Sequence, residues 1–435
     1  MKRNALKNLK EWKESKDRKP LILKGARQVG KTWLMKFFGK TEYENYYYFN
    51  FDENPSLSSI FEQNKDSKRI IELLGILVNS PINPKTDLIV FDEIQESSAA
   101  LNSLKYFKEQ SKEYHVICAG SLLGTLLAQP HSYPVGQVNL LNIYPLTFDE
   151  FLQNTDEGLY KFYSNVKKND NIEDVFHQRL LEVYNYYLII GGMPEAVYSW
   201  INNKDMSLVD RIQKEIIEIY KNDFAKHNGK VNSGRILLVF ESLVSQLAKE
   251  NKKFVYGLLR QGARAREYED AIEWLVSSGI VHKVYMSNNP SFPLKAYDAS
   301  NSFKLYLFDT GLLRQLSGID AKSILLKNDF SFKGALAENF VLQQIIDKFI
   351  IEPRYYNENR IMETDFLIQH SGKVYPIEVK AESNVKSKSM VKYTEKFKPT
   401  LFIRFSKLNF KHDGIVLNIP LYLSSRIKDL IWMLT

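Results

Sequence analysis

Gly25-Ala26-Arg27-Gln28-Val29-Gly30-Lys31-Thr32 is a loop bracketed by glycines that ends in a lysine and a hydroxyl. It fits G-x-x-x-x-G-K-[ST], the pattern that curls backbone N–H groups around phosphates. The apolar run Leu21-Ile22-Leu23 precedes it, and helical spacing from Lys31 to Phe38 follows. A helix N-terminus adds positive potential at such a loop. Lys31 is expected to reach the β- and γ-phosphates of ATP, and the Thr32 hydroxyl to bind Mg²⁺. Further along, Leu88-Ile89-Val90-Phe91 drives a strand into a core and delivers Asp92 and Glu93 at its end. Ligands of open parallel sheets sit at such ends. Asp92 would hold the metal ion, and Glu93 would position or deprotonate an attacking water. Ser121 closes a third apolar run at Ala119-Gly120-Ser121, and it either senses the γ-phosphate or caps the strand end.

A second constellation lies in the last third. Helical spacing from Gly334 to Ile350 puts Glu338 on one face with Val341, Leu342 and Ile345. A carboxylate on an apolar stripe is costly unless it is paired or bound to metal. Glu363-Thr364-Asp365-Phe366-Leu367-Ile368 and Tyr375-Pro376-Ile377-Glu378-Val379-Lys380 read as strands. Alternation sends Glu378 and Lys380 to one face and Ile377 and Val379 to the other. A helical Glu, then Asp, then Glu-x-Lys is the layout of a restriction-endonuclease-like fold. In that layout Asp365 and Glu378 hold Mg²⁺ with the Val379 carbonyl, Glu338 completes the shell, and Lys380 orients or activates water. Folds outlive functions, so the same layout also suits a module that binds without cleaving.

The elements that must position these groups follow from periodicity. Residues 20–150 alternate short apolar runs with helical patterns, as a parallel α/β sheet does. Residues 150–230 are helical in pattern and break at Gly191-Gly192-Met193-Pro194. Three helices are then expected: Arg235 to Leu247, a short one near Val255 to Leu259, and one from Arg264 towards Gly279. Strands at 280–285 and 304–308 come next. Three helices and a hairpin suit a winged helix-turn-helix. Arg264 and Arg266 stand at the start of its third helix, where a recognition helix meets DNA. Glu267, Glu269, Asp270 and Glu273 on that helix oppose phosphates, so a packing or protein-contact module is equally open. The chain therefore divides into a P-loop core (1–155), a helical lid (156–230), a winged-helix segment (231–322) and a nuclease-like segment (323–435).

With 435 residues and 44% hydrophobic content, the chain can build several cores. The formal charge of +8 is compatible with nucleic acid without requiring it. Its single cysteine, Cys118, excludes an intramolecular disulfide and a cysteine-based zinc site. No run approaches the ~18 apolar residues of a membrane span. The lysine-rich stretch Met1 to Pro20 lacks the apolar core of a signal peptide. A soluble, cytoplasmic protein with no membrane partner is expected.

The chain resembles the AAA-type P-loop ATPases of bacteria and archaea that carry a C-terminal restriction-endonuclease-like domain of unknown function. The resemblance rests on the P-loop, Phe91-Asp92-Glu93-Ile94-Gln95, Ala119-Gly120-Ser121, Tyr144-Pro145-Leu146-Thr147-Phe148-Asp149-Glu150-Phe151, Gly191-Gly192-Met193-Pro194-Glu195 and Tyr220-Lys221-Asn222-Asp223. It covers nearly the whole chain, and the later segments make it specific. It implies a multi-domain α/β architecture of parallel-sheet ATPase, helical lid, winged helix and nuclease-like domain. One departure matters: no Lys or Arg occurs between Thr125 and Tyr160, where relatives often place a basic residue. An arginine-finger ring mechanism from that segment is therefore not expected; Arg211 and Lys221 of the lid are alternatives. The expected function is Mg-ATP binding and hydrolysis coupled to nucleic acid, DNA rather than RNA, with self-association open. The competing reading is a nucleotide switch whose C-terminal part only binds a nucleic acid or a protein.

Overall fold

The computed structural model describes the chain apart from residues 64, 121–135, 168–170, 228, 327–329, 359–360, 384–386 and 433–435. Ser121 lies outside the described residues. The chain forms two compact units. One comprises Arg3–Tyr144 with Ser277–Gly279; the other comprises Met1–Lys2, Pro145–Val276 and Ile280–Thr435. The segments read as lid, winged helix and nuclease-like lie in the second unit, apart from Ser277–Gly279.

In the first unit, β1 (Leu21–Lys24), β2 (Asn45–Asn50), β3 (Asp87–Asp92), β4 (His115–Ala119) and β5 (Asn139–Asn142) form a parallel sheet in the order β2-β3-β4-β1-β5. Every residue of β3 is buried, as expected for a β-branched and aromatic run covered on both faces. Phe91 faces an aromatic core, 5.5 Å from Phe61, 5.8 Å from Phe51 and 6.0 Å from Phe107 between ring centroids. The pleat then turns the next residue, Asp92, to the opposite face. From β1 the chain runs to the far edge at β2, returns through β3 and β4, and crosses to β5 beyond β1. This reversal beside β1 makes a topological switch point, where crevices open at the strands' carboxyl ends.

The second unit is mostly helical up to residue 276. Phe148–Thr155, Glu157–Asn165, Asp174–Ile190, Pro194–Asn203, Met206–His227, Gly229–Leu247 and Ala265–Ser277 are its helices there. Thr147 and Glu150 start the first through a reciprocal capping box. The boundary between units falls at Tyr144–Pro145, ahead of residue 155. The reason is in the side chains: Phe148 and Phe151 pack on Tyr187 with ring centroids 5.9 and 5.4 Å apart, deep in the second unit.

An eight-stranded sheet follows, in the order β12-β13-β11-β10-β9-β8-β6-β7. Its strands are β6 (Val281–Ser287), β7 (Asp298–Leu307), β8 (Arg354–Glu358), β9 (Met362–His370), β10 (Lys373–Val379), β11 (Phe402–Ser406), β12 (Lys411–Asp413) and β13 (Val416–Pro420). The hairpin expected as a wing, β6–β7, pairs antiparallel and joins β8 at Met286 and Tyr355. The helix Lys333–Ile345 is shorter than the expected run to Ile350, and every residue from Ala335 to Ile345 is buried. Phe340 on it meets Tyr184 and Tyr187, at 4.8 and 5.4 Å. Full burial of such a ring stabilises by roughly 1.5–3 kcal/mol.

The Gly191-Gly192 break has a structural cause. Gly191 ends the helix Asp174–Ile190 at φ 71°, ψ −162°, a region open essentially to glycine. The Gly192 N–H donates to Asp309 Oδ2 at 2.6 Å, and a Cβ on Gly192 would lie 2.2 Å from the Leu146 carbonyl oxygen. Asp309 is fully buried and also accepts from the Leu312 N–H at 2.9 Å and Gln343 Nε2 at 3.2 Å. One polar knot thus ties the lid, the end of the hairpin and the Lys333–Ile345 helix together. Among the described residues no helix is long and apolar enough to cross a membrane.

Candidate functional site

The P-loop residues Gly25, Ala26, Arg27, Gln28, Val29 and Gly30 connect β1 to the helix Lys31–Glu42. Gly25 at φ 150° passes so close to β5 that a Cβ would lie 2.1 Å from the Ile143 carbonyl oxygen. Gly30 at φ 92° caps the helix in the left-handed region, and Gln28 at φ 63° shares that geometry. Lys31 folds back into the loop, and its Nζ donates to the Gly25 and Ala26 carbonyls at 2.9 and 2.8 Å. Burial pushes its ammonium down to about 8, against the pull of Glu93 and Asp92.

Thr32 Oγ1 donates to Asp92 Oδ2 at 2.7 Å, so the helix start and the end of β3 meet at one carboxylate oxygen. The Tyr48 hydroxyl, from β2, donates to the same oxygen at 2.8 Å. Glu93 sits just beyond β3 at φ 48°, uncommon for a residue with a side chain. Its Oε2 accepts from Gln95 Nε2 at 2.5 Å. The structure therefore brings Lys31, Thr32, Asp92 and Glu93 to one end of the sheet. Tyr48 and Gln95 are additions that sequence reasoning missed. Gln95 stood inside a quoted motif, but nothing in its residue type announced a bond to Glu93.

The C-terminal constellation is built differently from the expected metal shell. Glu338 is buried; its Oε1 pairs with Lys252 Nζ at 2.7 Å and its Oε2 accepts from the Tyr306 hydroxyl at 2.9 Å. Burial alone would raise this carboxyl, but Lys252 and Lys304 outweigh it and hold it below the usual range. Asp365, on β9, accepts from the Val379 N–H at 2.7 Å. Burial, reinforced by Glu338, pushes its carboxyl up to about 8. Glu378 is buried and pairs with Lys380 at 3.1 Å through Oε1; its Oε2 has no hydrogen-bond partner among the described residues. Glu338 and Asp365 thus act on each other and both feel Lys252 and Lys304, while Glu378 pairs with Lys380. Among the described residues, no group of three or more His, Cys, Asp and Glu is placed to hold a metal ion. In this arrangement the donor set does not fit Mg²⁺, because lysines already compensate it. One sequence signal pointed here: Lys304 lies in the apolar run Phe303 to Phe308 and is fully buried, paired with Glu363 at 3.0 Å.

At the start of the helix Ala265–Ser277, Arg260, Arg264 and Arg266 are exposed. Two of the acids nearby are engaged internally: Glu267 with Arg260 at 3.4 Å and Glu273 with Lys283 at 2.5 Å.

Residues 17–152 match the family model described as "AAA domain". These residues, which carry the P-loop and the Asp92-Glu93 strand end, are thus similar to an AAA-type P-loop domain. Residues 181–323 and 333–422 match two domains of unknown function (DUF8612 and DUF4143). A stretch of 120 residues is similar to uncharacterized proteins of Mycobacterium tuberculosis (Rv2008c) and Mycobacterium bovis (Mb2031c). Each is 34% identical over 120 residues, covering 27% of this chain and 25% of the relative. The chain thus spans 25% of the length of these relatives. Among solved structures, a Walker-type ATPase of Pyrococcus abyssi aligns with 72% of this chain and 94% of its own, at 14% identity and a TM-score of 0.46. The Orc1 protein of Aeropyrum pernix, solved in complex with DNA, aligns with 72% of this chain and 91% of its own, at 13% identity and a TM-score of 0.29. Neither likeness bears on function.

Proposed function

We propose that the ATPase core binds Mg-ATP and hydrolyses it, and that turnover sets the state of a nucleic-acid-contacting second unit. The observation that carries this reading is the meeting of Thr32 and Asp92 at 2.7 Å beside Lys31. A hydroxyl and a carboxylate in contact at a switch point are a donor set suited to Mg²⁺. Thr32 and Asp92 would hold the ion, which would neutralise charge on the phosphate oxygens. Lys31 exchanges its two carbonyl partners for phosphate oxygens, and burial strengthens that attraction. The loop's N–H groups and the helix N-terminus bind the remaining oxygens. Glu93 orients and deprotonates the attacking water once it leaves Gln95. Ser121 keeps its two expected roles, γ-phosphate sensing or strand-end capping.

The second unit contacts DNA through the basic start of the helix Ala265–Ser277, read as the third helix of a winged helix-turn-helix. Exposed Arg264 and Arg266 support this, and the internal pairing of Glu267 and Glu273 reduces repulsion of phosphates. A B-form major groove admits a helix, whereas the deep, narrow groove of A-form RNA does not, which favours DNA. For residues 323–435 the non-cleaving reading is favoured by the Lys252–Glu338 ion pair. The restriction-endonuclease-like reading rests on the order of Glu338, Asp365, Glu378 and Lys380 in the chain. The test is ATP turnover by the full chain with and without duplex DNA. Mg-dependent turnover that changes on adding DNA, and loses that change in Arg264→Ala with Arg266→Ala, is expected. Turnover that DNA never alters would remove the coupling and leave the core alone.

A further inference from the structure

The carboxylate centre of the second unit already contains cations, and they come from outside the 323–435 segment. Lys252 follows the helix Gly229–Leu247, and Lys304 lies on β7. Lys252 Nζ sits 2.7 Å from Glu338 Oε1, and the Tyr306 hydroxyl, also from β7, takes the other oxygen at 2.9 Å. Lys304 is fully buried and pairs with Glu363 at 3.0 Å. β9 and β10 pair antiparallel as far as Phe366 and Ile377, and Asp365 just beyond accepts from the Val379 N–H at 2.7 Å. The second oxygen of buried Glu378 has no partner among the described residues. A buried carboxylate oxygen is costly to leave unbonded.

We propose that Lys252 is the resident cation of this centre, standing where a divalent ion would otherwise be bound, so that residues 231–322 keep the centre closed to metal. The inference rests on the Glu338, Asp365 and Glu378 geometry and is independent of the ATPase reading. A buried carboxylate must find a positive charge. The chain supplies two, Lys304 from strand β7 and Lys252 from a turn, on a flexible stem. Lys252 at φ 50° makes that turn in the left-handed region. Withdrawal of the turn would take one cation from Glu338 and Asp365 and expose their oxygens to a hard divalent cation, which favours oxygen ligands.

The experiment uses the full chain carrying Asp92→Asn, which removes the P-loop carboxylate, and titrates Mn²⁺ without nucleotide by water-proton relaxation. The Asp92→Asn chain is expected to show no Mn²⁺ site dependent on Asp365. Adding Lys252→Met, which keeps the stem and removes the charge, is expected to tighten Mn²⁺ binding at least tenfold, and a further Asp365→Asn to abolish the gain. A site in the Asp92→Asn chain that Asp365→Asn removes and Lys252→Met leaves unchanged would overturn the proposal. So would a Lys252→Met chain that is folded by circular dichroism and binds no more tightly. If Lys252→Met is folded but too unstable for the titration, the melting temperatures of Lys252→Met, Glu338→Gln and the double variant decide. A double loss smaller than the sum of the single losses supports the pair, and an additive loss overturns it.

Discussion

Replacing Gly191 by Ala tests the polar knot that ties the second unit together. The backbone at φ 71°, ψ −162° costs a side-chain-bearing residue about 1–3 kcal/mol. The new Cβ would lie 2.3 Å from Asp309 Oδ1 and 2.8 Å from the Gly311 nitrogen. Asp309 must then move, yet it is held by Gly192, Leu312 and Gln343. Losing one hydrogen bond to a buried carboxylate costs about 1.5–3 kcal/mol. Together these give roughly 3–6 kcal/mol, a large part of the ~5–15 kcal/mol by which a folded domain is stable. Amide hydrogen exchange on the full chain reads the effect locally. Peptides containing Gly192 and Leu312 should lose protection by about 100-fold or more, since each 1.4 kcal/mol is about tenfold. Gly257→Ala is the control: a Cβ there meets nothing within 4 Å, and exchange should stay near wild type. Wild-type protection in Gly191→Ala would refute the reasoning, because it would mean that Asp309 does not depend on the glycine turn.

Other outcomes follow from the same geometry. Tyr48→Phe removes one of two donors to Asp92 Oδ2 and should destabilise the nucleotide-free chain by about 1 kcal/mol in urea; an unmoved midpoint would take Tyr48 out of the site. Lys304→Met strips the partner from Glu363, and because that carboxylate is partly exposed the loss should sit near the lower end of the range for broken buried pairs, about 3 kcal/mol. Burial pulls His282 down to about 4 from 6.5. Its folded form resists protonation, so the stability it contributes is present above the unfolded value and is lost as pH falls from 6.5 towards 4. That loss should approach about 3 kcal/mol. His282→Gln should flatten that part of the pH–stability curve, and a variant that keeps the full acid loss would assign it to other groups.

Much of the P-loop core was legible because its chemistry is local. Gly25 to Thr32 is contiguous, and Asp92 follows an unbroken apolar run whose end the pleat can only turn one way. The Thr32–Asp92 contact needed no more than the placement of two strand ends. Tyr48 was invisible because its reach depends on β2 pairing beside β3, a register that alternation in one strand does not reveal. The carboxylate centre shows the limit from the other side. Order and face were readable for Glu338, Asp365, Glu378 and Lys380, and the structure does pair Glu378 with Lys380. What occupies Glu338 was not readable, since Lys252 arrives from a turn with no periodicity. Gly191-Gly192 stood out as punctuation, but its reason, the buried carboxylate of Asp309, comes from a residue far along the chain.

The central claim, that this core hydrolyses ATP, is tested most directly by comparing ATP binding and turnover in the wild type and in Glu93→Gln. Binding is measured by isothermal titration with Mg-ATP and turnover by phosphate release. The wild type should bind and turn over. Glu93→Gln should keep its affinity while turnover falls about 10²–10⁴-fold, the usual contribution of a general base. Lys31→Ala in the same series should lose binding altogether. Glu93→Gln releasing phosphate at the wild-type rate, or Lys31→Ala binding Mg-ATP with unchanged affinity, would contradict the account.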